Sequence, residues 1–335
     1  WHGVVGGLYL SNIRTALYEN LIKAERIADD MVHKNKNYVD HEVEDFDVDG
    51  GVELLIDTPS QNIIVQPHMG GMVIEHDVKQ IAFNLHDTLM RRLESYHEEV
   101  LRGEGQTKQE NLAQYLAEDF TRRGAFIDHF LMDETTPASM QMLRYQEAGD
   151  FLNAPYHCTW EKTDFGTLVK LERTGKVETH IDMNAVKLEK MLTLGAGKTH
   201  NSVVYRLTNM DSKHLKIRFG VEFNINLLAG DAADRYHEIN RKDLGSKNKM
   251  NSTGEVKDVD TFRVIDEWLG LKVEWQLTHP AAHWRFPVET VSNSEAGIER
   301  IYQGTVIMPV WEVDLRPNED FEVGLDYIIS CSKQR

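Results

Sequence analysis

The sequence predicts a mainly β protein: a large antiparallel β-sandwich preceded by an N-terminal helical segment. Leu215, Ile217, Phe219, Val221, Phe223, Ile225 and Leu227 alternate without a break with Lys216, Arg218, Gly220, Glu222, Asn224 and Asn226. That is the pattern of one long strand with a core face and a polar face. The alternation returns at Val186, Leu188, Lys190, Leu192 and Leu194, where the lysine is the exception. It recurs at Leu271, Val273, Trp275 and Leu277, and at Phe321, Val323, Leu325, Tyr327 and Ile329. Long alternating strands without intervening helices pack as antiparallel sheets face to face.

A helical pattern comes first, over 12–33, with Ser11 as its expected cap. Ile13, Leu17, Leu21, Ala24, Ala28 and Met31 recur at three and four residues, so one stripe is apolar. Glu19 and Lys23 form a favourable pair one turn apart. A helix of this kind is stable only when its stripe is packed, on the sandwich or on chain upstream. Residues 34–37 break the pattern, which divides the chain into a helical segment, 1–36, and a sandwich, 38–332. Strands are expected at 52–56, 62–65, 72–78 and 81–89, with a hairpin-type turn at Asp49-Gly50-Gly51. The charge-rich stretches 91–102 and 108–120 read as short exposed helices, 126–156 as mainly loop with short strands, and 228–256 as a long polar loop.

The chain opens on Trp1-His2-Gly3-Val4-Val5-Gly6-Gly7-Leu8-Tyr9-Leu10. This stretch has no Met, basic region or long apolar run, and reads as a cut end rather than a signal peptide. The 335 residues carry 37 basic against 54 acidic side chains, a net charge of −17. So acidic a surface disfavours nucleic acid and an anionic membrane as partners and suits a neutral, hydroxyl-rich ligand such as a sugar. No apolar segment is long enough to span a bilayer as a helix. Cys158 and Cys331 are too few for a disulfide framework, and are expected as reduced, partly buried thiols in a cytoplasmic protein.

Several segments resemble glycoside hydrolase family 57, and within it the α-amylases and 4-α-glucanotransferases. They are Trp1 to Leu10 with Arg14-Thr15-Ala16-Leu17-Tyr18-Glu19-Asn20-Leu21, Phe219-Gly220-Val221-Glu222-Phe223-Asn224, Trp284-Arg285-Phe286-Pro287-Val288-Glu289-Thr290, and Ile298-Glu299-Arg300-Ile301-Tyr302-Gln303-Gly304. The match is colinear over nearly the whole chain. The resemblance implies a galactose-mutarotase-like sandwich that supports a catalytic barrel lying N-terminal to this chain. It also implies that the catalytic Glu and Asp belong to that barrel, so no catalytic residue is expected here. Trp1 and His2 carry over as sugar-contacting positions.

Retaining glycosidase chemistry needs two carboxyls about 5–5.5 Å apart, and no pair here stands out beside an aromatic platform. Glu222 and Asn224 lie with Asn226 in a polar row that could bind carbohydrate on a concave sheet face; a solvated face is the competing reading. Trp284 heads an aromatic neighbourhood with His283, Arg285 and Trp311. It offers a stacking platform, against ordinary core packing. His76, Asp77 and His86 match no standard metal spacing, and neither metal nor cofactor is expected. The expected role is structural and substrate-framing for an α-1,4-glucan or malto-oligosaccharide. A stand-alone glucan-binding module is the alternative. A mutarotase-like epimerase would need a His partner for Glu222, which the spacing does not reveal.

Overall fold

The computed structural model describes residues 7–332 except 35, 165, 196–198, 241, 243, 295 and 296. Trp1 and His2 lie outside the described residues. Helix α1 (Ser11–His33) leads into β1 (Asp40–Glu44), β2 (Glu53–Asp57), β3 (Gln61–Gln66), β4 (Met72–Val78) and β5 (Phe83–Asn84). Next come α2 (His97–Arg102), β6 (Ala125–Leu131) and α3 (Pro137–Gln141). The rest is strand: β7 (His157–Thr163), β8 (Gly166–Glu178), β9 (Met183–Gly195), β10 (His200–Asn209), β11 (Leu215–Ile225), β12 (Arg235–Ile239), β13 (Gly254–Asp266), β14 (Leu271–Ser294), β15 (Gly297–Leu315) and β16 (Asp320–Cys331).

The strands form one antiparallel ladder, ordered β1-β2-β3-β4-β6-β11-β15-β14-β16-β10-β9-β8-β7. The ladder closes on itself because β14 serves both layers. Residues 271–277 of β14 pair with β16, and residues 282–294 pair with β15. The two arms then face each other. Gln61 of β3 donates to Asn201 of β10 at 2.9 Å, and His41 of β1 meets Thr167 of β8 at 2.7 Å. Phe219, Phe223, Trp275, Tyr205 and Tyr327 fill the space between, with Phe223 edge-on to Trp275 at 5.5 Å between ring centres. The alternating apolar residues of β9, β11, β14 and β16 are the ones buried there. The mainly β sandwich with an N-terminal helix is thus observed.

The lysine that broke the alternation is also explained. Lys190 is fully buried, and its Nζ donates to the carbonyls of Gly70 and Phe126 and to Asp128 Oδ2 at 2.8 Å. A buried ammonium is tolerable only when paired and hydrogen-bonded in this way.

Other expectations are corrected. Ser11 is not the cap of α1: Leu10 holds that position without a side-chain bond, and Ser11 is buried inside the first turn. The charge-rich stretch 91–120 holds only α2 and a short 3₁₀ turn at Leu112–Tyr115. The charges of α2, Glu98, Glu99 and Arg102, are exposed as expected, but Arg91 and Asp119, at the two ends of the stretch, are not. Arg91 and Asp119 exchange backbone and side-chain bonds and are buried together. The region read as mainly loop with short strands contains one strand, β6, every residue of which is buried, so no alternation marked its bounds, and the short helix α3, which was not expected. The polar stretch 228–256 carries β12, anchored by buried His237 and Ile239. Of the strand expected at 81–89, only the two residues of β5 form. Among the described residues, no helix is long and apolar enough to cross a membrane.

Candidate functional site: a sealed ion-pair network, an aromatic groove and an open helix face

Glu222 and Asn224 do not lie on an open polar face. The segment 119–131 covers that side of β11, and both residues are 0% exposed. Glu222 Oε1 accepts from Arg123 Nη1 at 2.7 Å and from Asn224 Nδ2 at 2.7 Å. Its other oxygen meets His129 Nε2 at 3.2 Å, and His129 Nδ1 meets Glu147 at 2.5 Å. Arg123 continues to Asp119, which also holds Arg91. Asn224 turns its amide to the Gly124 carbonyl as well, at 2.9 Å. The expected sugar-binding row is corrected to a buried network in which Arg91, Arg123 and protonated His129 balance Asp119, Glu147 and Glu222.

The electrostatics fix the protonation states. Burial alone would lower the pKa of His129, but Glu147 and Glu222 overcome it and raise it to about 10. Burial would likewise raise Glu222, yet Arg123 and His129 hold its carboxyl well below the usual carboxylate range. Here is the His partner that the spacing did not reveal, supplied by the neighbouring strand β6. It is a fixed cation against a fixed anion, with side chains 2% and 1% exposed. A general base needs a free lone pair near the working pH and a path to substrate; this pair has neither, which counts against the epimerase alternative.

Trp284 is 2% exposed and packs with Leu131, Met140, Phe286 and Met308. It is first a core residue, in a stretch of β14 where residues 283–288 are all buried, and it belongs to a separate apolar cluster from Trp275. It also contributes to the floor of a groove of about 460 Å³ that Trp311, Phe321, His279, Arg218 and Glu312 line. Trp311 donates its indole N–H to the His279 carbonyl at 3.0 Å, which fixes the ring. His283 and Arg285 turn away from this groove's lining: His283 packs on Phe262, and Arg285 bonds Ser252 and the Lys247 carbonyl. His76 and His86 are buried neighbours with ring centres 5.9 Å apart, and they form no ligand set with Asp77.

Helix α1 lies on the sheet by its polar side. Arg14 pairs with Asp87 at 2.9 Å, Tyr18 donates to Glu75, Arg26 donates to the Lys79 carbonyl, and Asp29 takes Lys79 Nζ at 2.7 Å. Ile22, 1% exposed, is the apolar anchor of this side. The predicted stripe points the other way. Leu17, Leu21 and Met31 are 62%, 61% and 75% exposed, and Ala24, Ala28, Ile27 and Val32 are exposed beside them.

Sequence comparison decides the family. The sequence model of the α-amylase/4-α-glucanotransferase C-terminal domain matches residues 45–325. The chain belongs to this family. The model of the middle domain of the same α-amylase/4-α-glucanotransferase group matches residues 1–28. α-Amylase 1 of Dictyoglomus thermophilum is 32% identical over 326 residues, covering 94% of this chain and 45% of that protein. The 4-α-glucanotransferase of Thermococcus litoralis is 31% identical over 328 residues, covering 92% of this chain and 44% of its own length. The chain therefore spans less than half the length of these relatives. The crystal structure of the T. litoralis 4-α-glucanotransferase superposes with a TM-score of 0.77 at 29% identity, over 98% of this chain and 44% of that one. A galactose mutarotase-like protein from Clostridium acetobutylicum aligns at 11% identity with a TM-score of 0.53, over 88% of this chain and 99% of its own, which shows the shared fold alone.

Within this α-amylase/4-α-glucanotransferase family the three features take different weights. The network is structural, the groove is open to a ligand, and the outer face of α1 is an apolar surface with nothing described against it.

Proposed function

We propose that this chain is the non-catalytic C-terminal part of an α-1,4-glucan-acting enzyme of the α-amylase or 4-α-glucanotransferase type, working in the cytoplasm. In this reading residues 1–36 are the end of the catalytic region and 38–332 are the sandwich that supports it. The exposed stripe of α1 carries the proposal. Each large apolar side chain there would contribute about 1.5–3 kcal/mol on being covered. Leu17, Leu21 and Met31 form one seam, and such patches mark interaction sites. The relatives supply the candidate cover, since their additional length precedes the matched region in this reading. Trp1 and His2 would then stand beside the barrel as sugar contacts.

The test is association in trans with the separately produced catalytic half of the same polypeptide. The unaltered chain is expected to co-purify with that half, and the combined variant Leu17→Glu/Leu21→Glu/Met31→Glu to lose it. Undiminished association of the variant overturns the proposed seam.

The groove supports a second role, carbohydrate binding by the sandwich itself. Trp311 and Phe321 place aromatic carbon beside His279, Arg218 and Glu312, the mixture that grips sugar rings. Titration with maltoheptaose is expected to change tryptophan fluorescence in the millimolar range, and an unchanged signal there removes this role.

A further inference from the structure

Arg285 belongs neither to the aromatic groove nor to the α1 seam, and its charge has no counterpart. It is 2% exposed. The other three buried arginines among the described residues each meet a carboxylate: Arg14 meets Asp87, and Arg91 and Arg123 share Asp119. Arg285 instead donates from Nε to Ser252 Oγ at 3.0 Å and from Nη2 to the Lys247 carbonyl at 3.0 Å. Its Nη1 is buried without a hydrogen-bond partner. Burial lowers its pKa, with no carboxylate to offset the effect. A buried charge held only by neutral groups is costly, and an N–H left over beside it marks where an anion belongs.

Two imidazoles stand at the same place. His283 precedes Arg285 by two residues on β14, so both side chains leave the same face of the strand. His237 of β12 sets its ring edge-on to His283, with ring centres 6.3 Å apart. The two histidines are 2% and 1% exposed, and none of their four ring nitrogens has a hydrogen-bond partner. Burial first, and then the nearby charge of Arg285, depress both rings, His283 to about 3. Both are therefore neutral at pH 7, and each has one N–H to donate. Gly254 lies opposite Arg285 in the β13–β14 pairing, and a Cβ there would come within 3.3 Å of Nη2 and 3.5 Å of Nη1. Its φ is not positive, so the backbone does not demand glycine; the glycine spares the guanidinium a side chain pressed against it.

We infer that Arg285, His283 and His237 hold a small monovalent anion, chloride, that fastens β12 and the segment 247–252 to β14. The donor set is all N–H, and the guanidinium repels a cation. One positive charge in a sealed interior balances one negative charge, which favours a halide over sulfate or phosphate. A water molecule would occupy the N–H groups and leave the charge unbalanced.

The experiment uses the whole chain, exchanged into sodium gluconate and titrated with sodium chloride at constant ionic strength while Tm is followed. Tm is expected to rise and to saturate at millimolar chloride, as for a ligand bound by the folded state alone. Crystals grown in sodium bromide are expected to show one anomalous peak within hydrogen-bonding distance of Arg285 Nη1. Gly254→Val, which crowds the guanidinium, and Arg285→Gln are each expected to weaken the chloride response about tenfold or more, as loss of a charged hydrogen bond does. The bromide crystals of the unaltered chain decide the matter even where Arg285→Gln does not fold. Equal Tm in chloride and gluconate, a bromide crystal with water alone at Arg285, or an undiminished chloride response in the folded variants overturns the site.

Discussion

At the residue scale, the His129–Glu222 pair yields a pH dependence with a definite sign. His129 has its folded pKa raised above the unfolded value of 6.5, to about 10. Its stabilising contribution is therefore complete below pH 6.5 and is lost as pH rises through about 10. His129→Gln is expected to lower stability at neutral pH by about 3–5 kcal/mol, because it leaves buried charges unmatched. It should also flatten the decline in stability measured by urea unfolding between pH 7 and 10; an unchanged slope removes the assignment. The thiols give an independent check. Burial pushes both Cys158 and Cys331 up to about 11, so neither is a ready thiolate at neutral pH. Both are expected to react with Ellman's reagent more slowly than a free thiol, accelerating only on unfolding. The sequence revealed Glu222 and Lys190 as polar residues in the pattern of a strand. Their partners were invisible, because Arg123 and Asp128 lie 99 and 62 residues away and no local spacing links them.

At the scale of elements, α1 separates two adjacent residues sharply. Ile22 is 1% exposed and Leu21 is 61% exposed. In the isolated chain Ile22→Ala is expected to cost about 2–4 kcal/mol. Leu21→Ala should stay within about 0.5 kcal/mol. Equal losses in urea unfolding would show that the outer face is already covered. The periodicity of this helix was legible, and so was its apolar stripe. Which side meets the sheet was not, because the inner face is built from Arg14, Tyr18, Arg26 and Asp29, whose ion pairs need tertiary partners. Strands β9, β11, β14 and β16 were legible for a different reason: each carries a run in which apolar and polar residue types alternate, and that pattern needs no distant information even where, as in β11, the polar residues are buried too. Strand β6 fell in a stretch expected to hold short strands but could not be placed within it, because burial on both faces erases the period. The hairpin turn at Asp49-Gly50-Gly51 was legible as a turn.

At the scale of the whole molecule, the ladder closes into a sandwich whose charged interior is neutralised and sealed, while an apolar helix face stays outside. That division suits the proposed supporting role, in which the interior fixes the shape and the outer face is where the catalytic half would dock. The resemblance in Phe219-Gly220-Val221-Glu222-Phe223-Asn224 located the family but not the role of its polar residues, which turned out to be internal. The direct test is incubation of the purified chain with maltoheptaose, with products resolved by chromatography. No shorter or longer malto-oligosaccharide should form, because the chemistry is assigned to a catalytic half outside this chain. Products that form with the chain alone, and vanish when one of its own Asp or Glu residues is replaced, would contradict the supporting role.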